Sequence, residues 1–591
     1  VGALIINACL KIVKIHCSSL LSYDRIRHNM QKRLSDLIQG LDICSIEGDI
    51  HHLISGLFYD SRECKPGSLF FALPGLHTDG KKYIIQAIQN GAVAVIYEGL
   101  LEKNLREFML KDPSARALNP ALIRVTDCRW TMSAISASFF ENPSDSLCVI
   151  GVTGTEGKST TVSFIYQLLN AAGFKAGFFS TVMSDIGEGE QPNPQHQTTP
   201  EATTVQQMLA EIRNHGLQFA VIEASSHGLS PRTARLAHVH FDIGLVTNVT
   251  HEHLEFHGSC EQYRSDKANL FRRLGEVEPK KLNKVSHAIN EHNSNIIISP
   301  TGIICADDPN ASYFMHESAV PCLTYSSKGA LADFSAHNIM EDANGVSFEI
   351  EGLLEMPIGH NFRTEQEISA RRFENVMPST LSARINLPGT FNVQNALGAI
   401  LAASAATGLH WHNFVPLLPG LRPIKGRMQR ILEGQPFEVI IDYAHTPSSF
   451  KEILPSLRKE RKGRIICVFG SAGERDTEKR PQQGRIAADY CDILILADED
   501  PRGEDPMAIL EEIAMGCPEL SREDRLYLIP DRPEAIRRAF NLAKPGDLVL
   551  LLGKGHENSI IYSDRTIPYD EERQARSILA DLGFEITNKG K

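Results

Sequence analysis

The stretch from Leu147 to Gly173 restricts this chain more than any other. An apolar run over Leu147 to Val152 has the length of a buried strand and is too short for a helix. Gly151, Gly154 and Gly157 break it, and from Ser159 the residues Val162, Ile165, Leu168 and Leu169 recur at helical spacing until Gly173. Strand, glycine loop, Gly157-Lys158-Ser159 and helix make the layout of a phosphate-binding loop. Backbone N–H groups and the helix N-terminus face the phosphates, Lys158 brings a positive charge, and Ser159 offers a hydroxyl to Mg²⁺. The strict Walker spacing needs Gly at position 152, where Val stands. The competing reading is an ordinary glycine-rich turn, against which a Lys followed by two hydroxyl residues argues. A nucleoside triphosphate site is the expectation.

A length of 591 residues calls for three or four domains rather than one core. The net charge of −12 leaves no footprint for nucleic acid, so an anionic ligand has to be held by local basic groups and backbone dipoles. The twelve cysteines show no Cys-x-x-Cys and no metal-ligand spacing, which fits reduced thiols in a cytoplasm. The apolar run Val1–Leu10 is interrupted by Lys11 and Lys14 and lacks a small-residue cleavage site. It is too short to span a bilayer, so no stable membrane insertion is expected. Residues 1–29 read as an extension outside the fold, which begins at Met30.

From Met30 the pattern is α/β. Strands are expected at Leu57–Tyr59, Leu69–Leu73 and Ala92–Tyr97, and helices at Lys81–Asn90 and Thr131–Phe140. Residues 99–120 read as polar and irregular. Beyond the phosphate loop, the runs Phe219–Ile222 and Phe241–Val246 end in the polar clusters Glu223 to Gly228 and Thr247-Asn248. His251, His253 and His257 follow, but the zinc pattern His-Glu-x-x-His fails because Glu255 occupies the needed position. A carboxylate and a histidine at strand tips beside a phosphate loop can instead complete a Mg²⁺–ATP site. Residues 275–300 and 360–387 read as surface insertions, Asn392–Ala406 as a helix, and 418–428 as a linker. The last region carries four strand candidates: Phe437–Ile441, Arg464–Phe469, Ile493–Ala497 and Leu548–Leu552. Each ends in polar residues, which suggests one crevice at the carboxyl edge of a doubly wound sheet.

The motifs GVTGTEGKSTT, EASSHG, TNVTHEHLEFHG, EQYRSDKANLF, GTFNVQNALGA, GRM, DYAHTP, FGSAGERDTEKRP, DEDPRGEDP and GKGHE stand in this order. Together they resemble the Mur ligases, in particular the branch that adds a diamino acid to UDP-N-acetylmuramoyl-L-alanyl-D-glutamate. The resemblance implies an α/β protein of three domains: a UDP-binding domain at 30–145, a central ATPase domain at 146–424 and a Rossmann-like amino-acid domain at 425–591. It further implies ATP and Mg²⁺ as cofactors, a UDP-N-acetylmuramoyl-dipeptide and a free diamino acid as substrates, and a cytoplasmic monomer.

By motif, Tyr59, Ser61, Leu76, His77 and Thr78 would hold the UDP end, and Gln197, Thr198, Thr199, Ser225 and Arg235 the sugar-peptide end. Gly154, Thr155, Glu156, Gly157, Lys158, Ser159 and Thr160 would cradle phosphates, with Arg427 and Asp442 meeting the nucleotide from the C-terminal side. Ser159 and Glu223 would bind one Mg²⁺ and His253 a second, while Lys267 matches a lysine that the family carbamylates. Lys158, Glu223, His253 and Lys267 thus form the implied catalytic set. Arg475, Glu499, Asp500, Pro501, Arg502, Gly553 and Glu557 would line the amino-acid pocket.

Two residues of the phosphate loop depart from the family pattern. Ser159 replaces Thr but keeps the hydroxyl. Glu156 replaces Asn and places a negative charge beside the phosphates, so it either points away or weakens nucleotide binding. Family members using meso-diaminopimelate carry Asp-Asn-Pro-Arg where this chain has Glu499-Asp500-Pro501-Arg502. Arg502 suits a distal carboxylate. Asp500 suits a distal ammonium, and its competition for Arg502 tips the expectation toward lysine or ornithine. The alternatives are another ligase of the superfamily, such as a folylpolyglutamate synthase, and an inactive nucleotide-binding homologue. The Asp60-Ser61-Arg62 region argues against the folate enzyme.

Overall fold

The computed structural model describes residues 30–591, except 76–77, 102, 194–196, 251–253, 283–295, 343, 354–377, 460 and 585–591, with backbone only at 103, 254, 255, 353 and 378. The chain divides into two compact units, one of Val1–Ser146, Thr199–Asn214 and His227–Val239, the other of Leu147–Thr198, His215–Ser226 and His240–Lys591.

In the first unit a five-stranded sheet runs in the order Ile43–Glu47, Ala121–Val125, Ala92–Glu98, Ser68–Ala72, Gly56–Phe58. All pairs are parallel except the first. Strands buried on both faces read as continuous apolar runs, as Ala92 to Tyr97 does. The helix Cys128–Phe139 contributes Met132 and Ile135 to the core on one face, and the helix Ile84–Gln89 contributes Ile84 and Ala87 on the other. Residues 99–120 are not irregular: they hold the helices Lys103–Lys111 and Pro113–Leu118. Their apolar stripe is short, with Leu105 and Ala115 buried and Phe108, Met109 and Leu118 packed alongside. The second helix starts on an Asp112 cap followed by Pro113. The helix Ala202–Asn214 also belongs to this unit, placing Ala202 in its core and donating from Gln206 to the His238 carbonyl.

The second unit holds two sheets. The larger has eleven strands, in the order Gln191–Pro192, Met183–Asp185, Ala176–Phe179, Phe219–Glu223, Cys148–Thr153, Ile243–Val246, Thr301–Cys305, Cys322–Ser326, Phe334–Asp342, Gly345–Leu353, Pro378–Ile385. Its middle is parallel and both ends are antiparallel. The helices Lys158–Ala171 and Phe391–Thr407 share its largest core, while Leu270 of the helix Cys260–Arg273 lies against the strands at Gly151 and Gly244. Two stretches read as insertions carry strands. Pro378–Ile385 is the sheet's last strand, and Lys280–Leu282 pairs with Ile296–Ile298, burying Leu282, Ile296 and Ile298. Stretches this short give no periodicity, and their pairing is set by distant partners.

The second sheet has six strands, in the order Gln429–Ile431, Glu438–Asp442, Leu548–Leu552, Ile465–Phe469, Ile493–Leu496, Leu526–Leu528, all parallel after the first pair. Hydrophobic cores cover both faces, as a doubly wound sheet requires. The segment between the two sheets is packed rather than loose: Leu418, Leu421, Ile424 and Met428 are buried.

Candidate active site

The phosphate loop runs from the strand Cys148–Thr153 into the helix Lys158–Ala171. Gly154 has φ +145°, and a Cβ there would sit 1.9 Å from Thr247 Oγ1, so only glycine fits. Gly157, at φ +81°, would place a Cβ 2.5 Å from Asn395 Oδ1. Asn248 holds the loop between them: its carbonyl accepts from Thr155 N at 2.8 Å and its Oδ1 from Glu156 N at 2.9 Å. Thr247 Oγ1 donates to the Glu156 carbonyl at 2.6 Å. Lys158 Nζ folds back onto the Thr155 carbonyl at 2.7 Å.

With both backbone groups of Glu156 engaged in the loop, its side chain reaches Thr446 of the Asp442-Tyr443-Ala444-His445-Thr446 turn, whose Oγ1 is 3.4 Å from Glu156 Oε1. Glu156 therefore bridges the two sheets of this unit. It still lines the cleft formed with Gly157, Thr160, Asn395, Arg427 and Asp442. Asp442 is fixed by the amides of Met428 at 2.7 Å and Ala444 at 2.8 Å. Burial raises its pKa above the ordinary carboxylate value, and the Arg427 guanidinium opposes the shift. Arg427 lies over the Tyr443 ring.

Ser159 Oγ donates to Glu223 Oε2 at 2.9 Å, and Thr181 supplies its amide at 2.8 Å and its hydroxyl at 3.0 Å to the same oxygen. Thr181 Oγ1 in turn lies 3.0 Å from Thr198 Oγ1. Lys267 is buried, with Nζ 2.5 Å from the Gly154 carbonyl and 4.4 Å from the centre of the Tyr263 ring. A hydroxyl and a carboxylate side by side are oxygen donors of the kind hard Mg²⁺ takes, so the residues present fit that ion. His253 lies outside the described residues, and among those described no cluster of three His, Cys, Asp or Glu forms a metal site.

At the carboxyl edge of the six-stranded sheet, Lys554 is fully buried. Its Nζ is 2.9 Å from Asp500 Oδ1 and also contacts Glu557 Oε2. Burial disfavours the ammonium, but Glu557 and Asp500 outweigh it and hold Lys554 above the ordinary lysine value. Asp500 Oδ1 also accepts from Ile561 N at 3.1 Å, and Glu557 Oε1 from the Tyr443 hydroxyl at 3.1 Å. Asp500 is thus paired with Lys554, whereas the sequence argument set it in competition for Arg502. Arg502 has φ +56° and bonds through its amide to Ile561 O, and its buried Nε has no partner among the described residues. The same is true of Glu499 Oε2, which a Cβ on Gly553 would approach to 2.9 Å. Pro501 continues this turn, its carbonyl accepting from Glu504 N, and Arg475 is exposed.

In the first unit, Tyr59 follows the strand Gly56–Phe58, and desolvation together with Glu201 raises its phenol. Ser61 Oγ donates to Gln86 Oε1 at 2.7 Å, and Thr78 Oγ1 lies 3.4 Å from the Tyr83 hydroxyl. Arg235 donates to the Thr199 carbonyl at 2.9 Å and to Glu201 Oε1 at 2.7 Å. Leu76 and His77 lie outside the described residues. Gln197, Thr198 and Ser225 belong to the second unit. Sequence reasoning missed Asn248, Asn395 and Lys554, although all three stand in motifs it quoted: only their neighbours had been given roles.

Fold and site together define a phosphate-loop nucleotide-binding protein, with a central parallel sheet and a second, doubly wound sheet that brings Arg427 and Asp442 to the same cleft. Family models described as the Mur ligase catalytic, middle and glutamate ligase domains match residues 53–135, 152–403 and 426–555. The chain belongs to the Mur ligase family. A UDP-N-acetylmuramyl-tripeptide synthetase of Treponema denticola is 47% identical, over 94% of this chain and 99% of its own. A UDP-N-acetylmuramoyl-L-alanyl-D-glutamate–2,6-diaminopimelate ligase of Syntrophomonas wolfei is 35% identical, over 93% and 99%. A solved structure of a ligase of that same description is 26% identical, with a TM-score of 0.57 over 94% of this chain and all of its own.

Proposed function

We propose that this chain is an ATP-dependent amide ligase of peptidoglycan precursor synthesis, joining a diamino acid to UDP-N-acetylmuramoyl-L-alanyl-D-glutamate. The observation that carries this is the convergence of Lys158, Ser159, Glu223 and Lys267 on one phosphate loop, in a chain that matches tripeptide synthetases along nearly its whole length. The division at 30–145, 146–424 and 425–591 is supported by the three matched family segments. Substrates such as ATP and a nucleotide-activated sugar favour a cytoplasmic site of action. Among the described residues no helix is long and apolar enough to cross a membrane.

A carboxylate does not condense with an amine at neutral pH. The D-glutamyl carboxylate oxygen attacks the γ-phosphorus and ADP leaves. The amine nitrogen then attacks the acyl carbon, loses its proton and expels phosphate, leaving the amide. Both steps gather negative charge on phosphoryl oxygens. Lys158 can swing from the Thr155 carbonyl onto that charge, and the loop amides stay aimed at it because Asn248 and Thr247 hold the loop's shape. Arg427 and Asp442 grip the nucleotide from the other sheet and help exclude water from the acyl phosphate. Mg²⁺ held by Ser159 and Glu223, with carbamylated Lys267 and His253 serving a second ion, would supply further neutralisation of the same oxygens.

The incoming amino acid meets Glu499 and Arg502, whose buried Oε2 and Nε await partners, while Lys554 neutralises part of the charge on Asp500 and Glu557. Glu499, Asp500 and Glu557 face Lys554, Arg502 and the exposed Arg475, and the carboxylate of Asp500, where users of meso-diaminopimelate carry Asn, supports a distal amine, as in lysine or ornithine. Ligation assays with lysine, ornithine and meso-diaminopimelate test this, alongside phosphate release that requires both substrates. A preference for meso-diaminopimelate of tenfold or more, about 1.4 kcal/mol, overturns the distal-amine assignment. Phosphate release without either co-substrate overturns the ligase itself.

A further inference from the structure

His257 ends the short helix Leu254–His257, and its ring is enclosed. Its Nδ1 lies 2.7 Å from Asp266 Oδ2 and its Nε2 3.0 Å from Ser226 Oγ. The other Asp266 oxygen accepts from Gln262 Nε2 at 2.9 Å. A carboxylate only accepts, so Nδ1 carries the proton that faces Asp266, and Nε2 pairs with the Ser226 hydroxyl. The order Ser–His–Asp is that of a nucleophilic triad. Yet Ser226 is 2% exposed and Asp266 1%, so no acyl group can reach the hydroxyl.

What the three residues do follows from where they are anchored. Tyr263, Asp266 and Lys267 share one face of the helix Cys260–Arg273. The Tyr263 hydroxyl lies 3.1 Å from Thr155 Oγ1, and Lys267 reaches the Gly154 carbonyl. The same face therefore holds the phosphate loop directly and Ser226 through His257. At the other end, Ser226 closes the loop that leaves the strand Phe219–Glu223. In that loop Glu223 is fixed by Ser159 and Thr181, and Ala224 N donates to Val152 O at 2.9 Å. Ser225 is left half-buried between two anchored neighbours.

We propose that Asp266, His257 and Ser226 form a positioning relay that ties the Ser225 loop to the helix carrying Lys267. The relay sets the distance between the residue that meets the sugar-peptide nucleotide and the phosphate loop. This rests on the ligase reading, in which Ser225 faces that substrate.

The test uses the full chain and the variants Ser226→Ala, Ser226→Thr and His257→Gln, with calorimetric affinities for ADP and for UDP-N-acetylmuramoyl-L-alanyl-D-glutamate. Ser226→Ala, which removes one oxygen, and His257→Gln should weaken the UDP ligand about tenfold, the scale of one buried hydrogen bond. ADP should stay within about twofold, and Ser226→Thr should restore the UDP affinity. Equal weakening of both ligands, or of neither, overturns the relay. A slowly exchanging, low-field imidazole proton in the unmutated chain, lost in His257→Gln, is the second signature, and its absence overturns the relay even where no UDP ligand binds. An unmutated chain that shows this proton and binds ADP but not the UDP ligand refutes the ligase reading and, with it, the relay's part in substrate binding.

Discussion

Lys554→Met removes the charge at the centre of the proposed amino-acid pocket while keeping most of the side-chain volume. The lysine side chain has no exposed surface, against 11% for Asp500 and 25% for Glu557. Breaking a buried pair by deleting one partner costs about 3–5 kcal/mol, because a charge is stranded. Water reaches Glu557 and offsets part of that, so the lower end, about 3 kcal/mol, applies here. A unit of this size shifts by about 1 °C per kcal/mol, so its thermal midpoint should fall by about 3 °C. The pH dependence has a definite sign. Lys554 is held above the ordinary lysine value in the folded state, so its contribution is complete below the unfolded pKa of about 10.4 and is lost as pH rises beyond it. The gap between unmutated and variant chains should be flat from neutrality to about pH 10 and close above that. Adding Asp500→Asn to the variant removes a stranded charge and should recover about 1–2 kcal/mol. Urea and thermal unfolding across pH measure all three. A loss under about 1 kcal/mol, or no recovery in the double variant, would refute the reasoning.

Three further outcomes are expected. Lys267→Ala should nearly abolish ligation, with partial rescue by bicarbonate or a short carboxylic acid; full activity without rescue would remove the carbamate from the mechanism. Gly157→Ala places a Cβ 2.5 Å from Asn395 Oδ1 at φ +81° and should weaken ATP binding by at least about tenfold in calorimetry. Asp498 is pushed up to about 6 by burial, so its stabilising share is complete below about pH 3.9 and lost as pH climbs through about 6. Asp498→Asn should therefore gain stability relative to the unmutated chain across that window and hold the gain above it; a urea midpoint difference independent of pH would contradict this.

The phosphate loop was legible in the sequence because its strand, glycines, lysine and helix are contiguous, and chain neighbours need no tertiary information to meet. The long parallel strands were legible for a related reason: burial on both faces demands unbroken apolar runs such as Phe219–Ile222 and Leu548–Leu552. The helices over 103–118 and the strand Pro378–Ile385 were not, since a stripe of three or four apolar residues, or an edge strand, takes its structure from what it packs against. Charge pairing was the least legible feature. Asp500 and Arg502 stand two residues apart, yet the turn at Arg502 commits its backbone to Ile561, and Asp500 meets Lys554 from the end of another strand. Glu156, which the sequence could only mark as a charge beside phosphates, reaches Thr446 because Thr247 and Asn248 hold its backbone groups within the loop. The order of letters set which residues had chemistry to offer. Which of them face one another was decided by the order of strands in the sheets, because that order brings distant strand ends to a common edge.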